Sequence, residues 1–252
     1  MLRALLVVHV VAGSAALLSM IVPMVTRKGA ATHRRAGWVF VSGMATVSVT
    51  AFLLAASRAL TDHTAEGRQG GIFLFYVAIL TAAGVSAGVR VLRAKHRTGA
   101  HTGAWDIGIA AALVVASLAM AAYGFATGIA LFRVFPLVGL LAGGGQLAYW
   151  LRAPSHPMHW WFEHMSQMLG SSIAAVTAFL VVNAERVGLP ADSLAVWIGP
   201  ALIGAPAIIV WTTYYRRLFK RAPGAAVGRV FSDPPPAGSK RTRTICDLAV
   251  RS

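Results

Sequence analysis

The chain has 252 residues, of which 57% are hydrophobic and 12% are charged, and its mean hydropathy is +0.66. A soluble globular domain carries about a quarter charged residues, so this composition excludes that class and favours an integral membrane protein. The net charge of +15 does not indicate nucleic-acid binding, because Lys and Arg lie in loops between apolar runs and near the C-terminus. The single cysteine, Cys246, excludes an intrachain disulfide and a Cys-x-x-Cys motif.

Seven apolar stretches follow one another along the chain, each about 20 residues long, which is the length that crosses a bilayer as a helix. Backbone groups inside a bilayer must be satisfied within their own segment, so we predict an all-α bundle of transmembrane helices in residues 1–215. The run 105–151 is too long for one helix, which predicts a tight hairpin between Gly124 and Gly128. The predicted spans are 4–24, 37–60, 71–93, 105–126, 129–151, 160–183 and 195–215.

The basic residues predict the orientation of these spans. Most of them lie in loops one, three and five and in the C-terminal tail, so these segments are expected in the cytoplasm and the N-terminus outside. Tryptophans near the same helix ends are typical of an interfacial belt, and these are Trp38, Trp105, Trp150, Trp160, Trp161 and Trp211. Residues 216–252 are predicted to be a disordered basic tail, which either binds anionic lipid headgroups or is simply solvated.

The segment from Ser155 to Met165 places ionisable residues where the chain enters the sixth span. Pro157 predicts a helix that begins there with His156 as its cap. His159 and Glu163 then lie one turn apart, with His164 on the adjoining face, so a divalent metal site from these three residues is one hypothesis. The alternative is a set of interfacial histidines, with Glu163 paired to a loop arginine.

Six of the eight histidines fall on the predicted cytoplasmic side: His33, His96, His101, His156, His159 and His164. Such a group binds a divalent metal or ligates haem, with His164 and either His33 or His101 as a haem pair, unless the loops keep the histidines apart. His9 lies inside the first span and shares a helix face with the small residues Ala12, Gly13 and Ala16. Such a face packs against another helix, which predicts that His9 points into the bundle. There it is either a ligand or proton carrier, or a histidine hydrogen-bonded to a neighbouring helix.

The first two spans and the loop between them carry a pattern: His9-x-x-x-Gly13, then Lys28-Gly-x-x-x-His33-Arg34, then Gly37 and Met44. The pattern resembles a family of bacterial multi-pass membrane proteins known as domain of unknown function 2306. The resemblance implies an integral protein of the bacterial plasma (inner) membrane and implicates His9, Lys28, His33 and Arg34, without supplying an activity. The same loop charge also suffices to set topology, or to bind lipid headgroups or a phosphate or quinone-like ligand.

Two functional hypotheses follow. The first is a redox or metal-dependent membrane protein with haem b or a divalent metal on the cytoplasmic side. Its expected cofactor-binding residues are His9, Lys28, His33, Arg34 and His164, with His9 as a proton or ligand group in the outer half, and its expected metal ligands are His159, Glu163 and His164. The alternative is a non-enzymatic proton-coupled transporter or membrane sensor that uses the same histidines. Neither hypothesis names a substrate or a catalytic residue.

Overall fold

The computed structural model describes residues 1–101, 103–190 and 193–221, and every regular element within these ranges is a helix. Two 3-10 turns, Val91–Arg93 and Glu185–Val187, follow the fourth and eighth helices. The helices are α1 (Leu2–Ser19), α2 (Ile21–Val25), α3 (Ala31–Thr61), α4 (Ala65–Arg90), α5 (Ala104–Thr127), α6 (Ala130–Val134), α7 (Pro136–Leu151), α8 (His159–Asn183) and α9 (Leu194–Arg221).

Seven stretches in the described part of the chain are long and apolar enough to cross a membrane, as predicted. Helices α1 and α2 together form the first, and α6 and α7 together form the fifth. The hairpin is confirmed: Gly128 ends α5 with φ of 78°, and its N–H donates to the Gly124 carbonyl at 3.0 Å. The seven stretches are Leu2–Val25, Ala31–Thr61, Ala65–Arg93, Ala104–Thr127, Ala130–Leu151, His159–Asn183 and Leu194–Phe219.

The start of α8 differs from the prediction. The helix begins at His159 rather than at Pro157, and a tight turn precedes it. His156 still satisfies a backbone donor there, because its Nδ1 accepts from the Met158 N–H at 3.0 Å. The histidine therefore caps a turn and not the helix itself.

The end of α9 also differs, because the helix continues to Arg221 instead of ending near 215. Tyr215 and Phe219 extend it by packing against Trp161 and Phe162 of α8. Trp161 is thereby buried against protein, and Trp150 is buried as well. The rest of the predicted tail, residues 222–252, lies outside the described residues.

Helix α4 is the centre of the bundle and contacts α3, α5, α7 and α8. Helix α1 lies outside α3, and α9 lies outside α8. An aromatic cluster, in which Phe73 stacks on Phe132 at 5.1 Å and meets Trp197 edge-on at 5.0 Å, joins α4 to α6 and α9. The core is therefore organised around α4, which has other helices packed on several sides.

Helices in a bilayer associate through close packing, because lipid tails are as apolar as the side chains they would replace. The contact of α3 with α4 shows this at Gly71, which is buried against the α3 backbone. A Cβ at Gly71 would lie 2.5 Å from the Ala59 nitrogen and 2.8 Å from the Ala59 Cα. The two helices can approach this closely only because the side chain is absent.

We predict that Gly71→Ala separates α3 from α4 and lowers the stability of the protein by about 1–3 kcal/mol, the usual cost of overpacking. Gly70→Ala is the matched control, because a Cβ there comes no closer than 3.9 Å to any neighbour. The measurement is the thermal unfolding midpoint of each purified variant in detergent. Equal midpoints for the two variants would contradict the close approach.

Candidate functional site

One end of the bundle, called here the basic end, gathers the ends of α2, α4, α7 and α9 with the starts of α3, α5 and α8. The loops at this end are tied to each other: Arg97 donates to the Arg152 carbonyl at 2.9 Å, and the His101 N–H donates to the Trp150 carbonyl at 2.8 Å. Loops three and five therefore converge. Its cationic side chains include Arg27, Lys28, Arg34, Arg35, Arg90, Arg93, Lys95, Arg97, Arg152, Arg216 and Arg217.

Near the basic end, helix α8 packs closely on α4 at two glycines of α4, Gly84 and Gly88. A Cβ on Gly88 would overlap the side chain of Met168, and one on Gly84 would lie 3.1 Å from the Ser171 Oγ. His164 lies at the same contact, with its Nδ1 2.7 Å from the Gly88 carbonyl oxygen. The face of α8 that carries His164, Gln167 and Ser171 therefore meets α4.

A line of hydrogen bonds crosses from α8 to α7 within this interface. Gln167 donates through Nε2 to Glu163 Oε1 at 2.8 Å, and its Oε1 accepts from Gln146 Nε2 at 3.3 Å. Gln146 is only 2% exposed, and Glu163 is partly buried. The carboxylate is thus held by an amide relay inside the bundle, one turn from the start of α8.

The polar face continues deeper than this relay. Ser171 is 4% exposed, and its hydroxyl has no hydrogen-bond partner among the residues that the structure describes. On the other side, Gln146 and Asp106 line one narrow gap with Trp150, which is too tight for a water molecule. The interior therefore carries buried polar groups from the basic end to the middle of α8.

Arg97 and Tyr149 close the basic end over Glu163. The Arg97 guanidinium lies 4.4 Å from the centre of the Tyr149 ring, and the Tyr149 hydroxyl is 2.8 Å from His159 Nδ1. Arg97 and Arg216 both lie within electrostatic range of Glu163. The interfacial alternative expected Glu163 to pair with a loop arginine; among the described residues its hydrogen-bond partner is Gln167, and the two arginines act on it only from a distance.

His33 and His164 are brought together in the same region. His33 Nδ1 lies 3.2 Å from the Pro23 carbonyl oxygen, and His164 Nδ1 is held by Gly88. The two rings are within electrostatic range of one another. Because both Nδ1 atoms are occupied by backbone carbonyls, the Nε2 atoms are the ring nitrogens left for a ligand or a proton.

Lys28 joins this region through the loop that precedes α3. Its ammonium donates to the carbonyls of Pro23 at 2.8 Å and Met24 at 2.7 Å, and burial lowers the pKa of the Lys28 amine. Arg34 is exposed and donates to the Gly29 carbonyl at 2.8 Å. Lys28 is thus built into the end of α2, whereas Arg34 lies at the surface.

A separate buried ion pair joins α4 to α5. Asp106 accepts from Arg90 through both carboxylate oxygens, and its Oδ2 also lies 2.8 Å from His101 Nε2. The Asp106 side chain is 4% exposed and that of Arg90 is 30% exposed. Sequence reasoning missed this pair, because its members come from different helices and no local spacing links them.

One predicted grouping is not supported, and His9 lies apart from it. His9 bonds Thr50 through Nδ1 at 2.9 Å and points inward as predicted, and Thr50 lies roughly 25 Å along α3 from His33 at about 1.5 Å per residue, so His9 is remote from the basic end. No group of three or more His, Cys, Asp or Glu side chains in the described ranges could hold a metal ion. The expected metal ligands His159, Glu163 and His164 are therefore not gathered, because they point to α7, along α8 and to α4.

Comparison of the chain with protein-family models, with curated proteins and with solved structures gave no match. The resemblance to domain of unknown function 2306 therefore stays a prediction.

We predict that Asp106→Asn lowers the stability of the protein by about 3 kcal/mol, because it leaves the Arg90 charge without its partner in a largely buried place. Arg90→Gln combined with Asp106→Asn should recover part of this loss, since neither side chain is then charged. Asp62→Asn is the control, because it alters the more exposed pair of Asp62 with Arg58, whose side chains are 29% and 54% exposed. The detergent unfolding midpoints of these variants provide the check; a midpoint for Asp106→Asn that matches the control would refute the prediction.

Proposed function

We propose that this chain is a proton-responsive, non-enzymatic protein of the bacterial inner membrane, either a transporter or a sensor. In this proposal the N-terminus is outside and the basic end is cytoplasmic, in agreement with the charge asymmetry of the loops. The cationic tail, from residue 216 onward, would lie near anionic headgroups. The observation that supports the function best is the hydrogen-bonded set of Glu163, Gln167 and Gln146 inside the α4, α7 and α8 interface.

Ionisable groups at this depth are costly in a bilayer, by about 3 kcal/mol each, so they are typical of proton and substrate pathways. Glu163 is within reach of the basic end but is enclosed by Gln167 and faced by Arg97 and Arg216. As a carboxylate it accepts from Gln167 and attracts both guanidinium groups; protonated, it loses that attraction and becomes a donor. One proton would therefore change the contact between α8 and loop three.

His33 and His164 would extend this response. Each ring is fixed by a backbone carbonyl, and the two rings repel each other when both carry a proton. His33 belongs to α3 and His164 to α8, so this repulsion acts between two helices that α4 would otherwise hold in place.

We predict that the tryptophan fluorescence of the purified protein titrates between about pH 4 and pH 9, because Trp160 and Trp161 adjoin Glu163. Glu163→Gln should abolish the carboxyl part of this change, while Glu66→Gln, at the exposed start of α4, should preserve it. An unaltered titration in Glu163→Gln would remove Glu163 from the proposal. A proton flux into liposomes that contain the protein, if it is lost in His164→Ala, would then favour a transporter over a sensor.

The second candidate is a redox protein, and one observation favours it: the anchored pair of His33 and His164. A histidine that ligates a metal usually donates its other ring N–H to a carbonyl, and both rings are held in this way. Each ring would therefore offer its Nε2 to a haem, which would supply one-electron transfer. The space is less favourable, since neither the large groove nor the narrow gap described for this chain is lined by His33 or His164.

For this candidate we predict a haem absorbance spectrum in detergent-purified protein, lost in both His33→Ala and His164→Ala. His9→Ala and His156→Ala are the controls and should keep the spectrum, because neither ring joins the pair. A colourless, metal-free preparation of the unaltered protein would rule out this candidate and leave the first one untouched.

A further inference from the structure

A polar notch lies between α4 and α8 at Gly84. Apart from the α4 backbone and the chain neighbours of Gly84, only two atoms lie within 4 Å of the place where its Cβ would be. Both atoms are oxygens, Ser171 Oγ at 3.1 Å and Gln167 Oε1 at 4.0 Å. Ser171 is roughly 18 Å from the start of α8 at about 1.5 Å per residue, so the notch lies near the middle of that span.

The Ser171 hydroxyl differs from the other buried hydroxyls of this kind. In a transmembrane helix, serine and threonine hydroxyls commonly donate to the carbonyl of the residue four positions earlier. Among the buried residues that the structure describes, every serine and threonine except Ser171 makes this bond. These residues are Ser48, Thr50, Thr81, Ser117, Ser172 and Thr177.

The Ser171 hydroxyl is costly without a partner, because the hydrocarbon around the bundle offers no hydrogen bond. Buried polar groups in native proteins are nearly always bonded to protein or to an ordered water. Ser171 Oγ lies over Gly84 instead of bonding the carbonyl of its own helix. The missing partner therefore belongs in the notch.

The donors and acceptors around the notch suit a water molecule. A buried water makes about two to four hydrogen bonds with otherwise unsatisfied polar groups. Ser171 Oγ is unpartnered among the described residues, and Gln167 Oε1 keeps a second lone pair because Gln146 Nε2 occupies only one. Calcium and magnesium ions take about six or more oxygen ligands, which two side chains do not supply.

We propose that the notch at Gly84 holds one water molecule, which accepts from the Ser171 hydroxyl and donates to Gln167 Oε1. The water holds that oxygen toward α4, so Gln167 Nε2 stays directed at Glu163. Ser171 thereby joins the hydrogen-bonded set of Glu163, Gln167 and Gln146. The site rests on the geometry of the notch and does not depend on the proton-responsive function.

The experiment measures magnetisation transfer from water to individual side chains by solid-state NMR, on the full-length protein in liposomes of deuterated lipid. Ser171 and Gln167 should receive transfer, whereas Ser117, which is 0% exposed and bonded within α5, should receive none. Equal transfer to Ser171 and Ser117 would mean a dry notch, in which Ser171 makes only a weak contact with the Gly84 Cα–H. That result would overturn the proposal.

Gly84→Ala fills the notch, because its methyl group would lie 3.1 Å from Ser171 Oγ. The transfer to Ser171 and Gln167 should then be lost. Gly170→Ala is the matched control, since it adds the same methyl group next to Ser171 in the chain, where no atom lies within 4 Å, and it should keep the transfer. Transfer to Ser171 that persists in Gly84→Ala would contradict a water in the notch.

A second variant leaves the contact of the helices unchanged. Ser171→Ala keeps the notch open but removes one of the two partners of the water, so the transfer to Gln167 should be lost. Ser172→Ala is its control, because the Ser172 hydroxyl donates to the Met168 carbonyl, and this variant should keep the transfer. Replacing sodium by choline in the buffer distinguishes water from a cation: a Ser171 chemical shift that depends on sodium would overturn the proposal.

Discussion

The close approach of α8 to α4 at Gly84 and Gly88 is the contact on which the rest of the interior depends. Lipid provides no hydrophobic force that would press two helices together, so the approach rests on packing and hydrogen bonds. With larger residues at these glycines, α8 would move outward and Gln167 and Ser171 would lose their protein surroundings. The polar face of α8 is tolerated inside the bilayer because α4 offers it a surface without side chains.

Two buried carboxylates lie among the cations of the basic end. Asp106 and Glu163 are the acidic residues of the described chain at that end, and both side chains lie inside the bundle. The cations lie around them, in loops and at helix ends. Each carboxylate thus holds a different part of the end together: Asp106 joins α4 to α5 through Arg90, and Glu163 accepts from Gln167, which also bonds Gln146 of α7. A change in either charge would act on a different set of helices.

The bundle separates a polar interior from an apolar outer groove. Helix α4 is enclosed on several sides, and the buried amides, carboxylates and histidines lie along its neighbours. Helices α1 and α9 are largely exposed, and the space between them is lined by apolar side chains. Lys28 and His33 bond the carbonyls of Met24 and Pro23, at the end of the helix pair α1–α2 that lines this apolar space.

Hydropathy and helical phase are local properties, so the sequence by itself determined the seven spans, the hairpin at Gly128, the inward direction of His9 and the placement of Glu163 and His164 on adjoining faces of α8.

The sequence did not determine which side chains contact each other. The pairs Arg90 with Asp106, Gln146 with Gln167 and His164 with Gly88 each join two helices, and spacing along the chain contains no information on how those helices are rotated or how closely they approach. For the same reason the metal set drawn from His159, Glu163 and His164 found no support, since neighbours on one helix pointed toward different partners. Only the tertiary structure decided these contacts, because they depend on the distance between helix axes, which the glycines of α4 set.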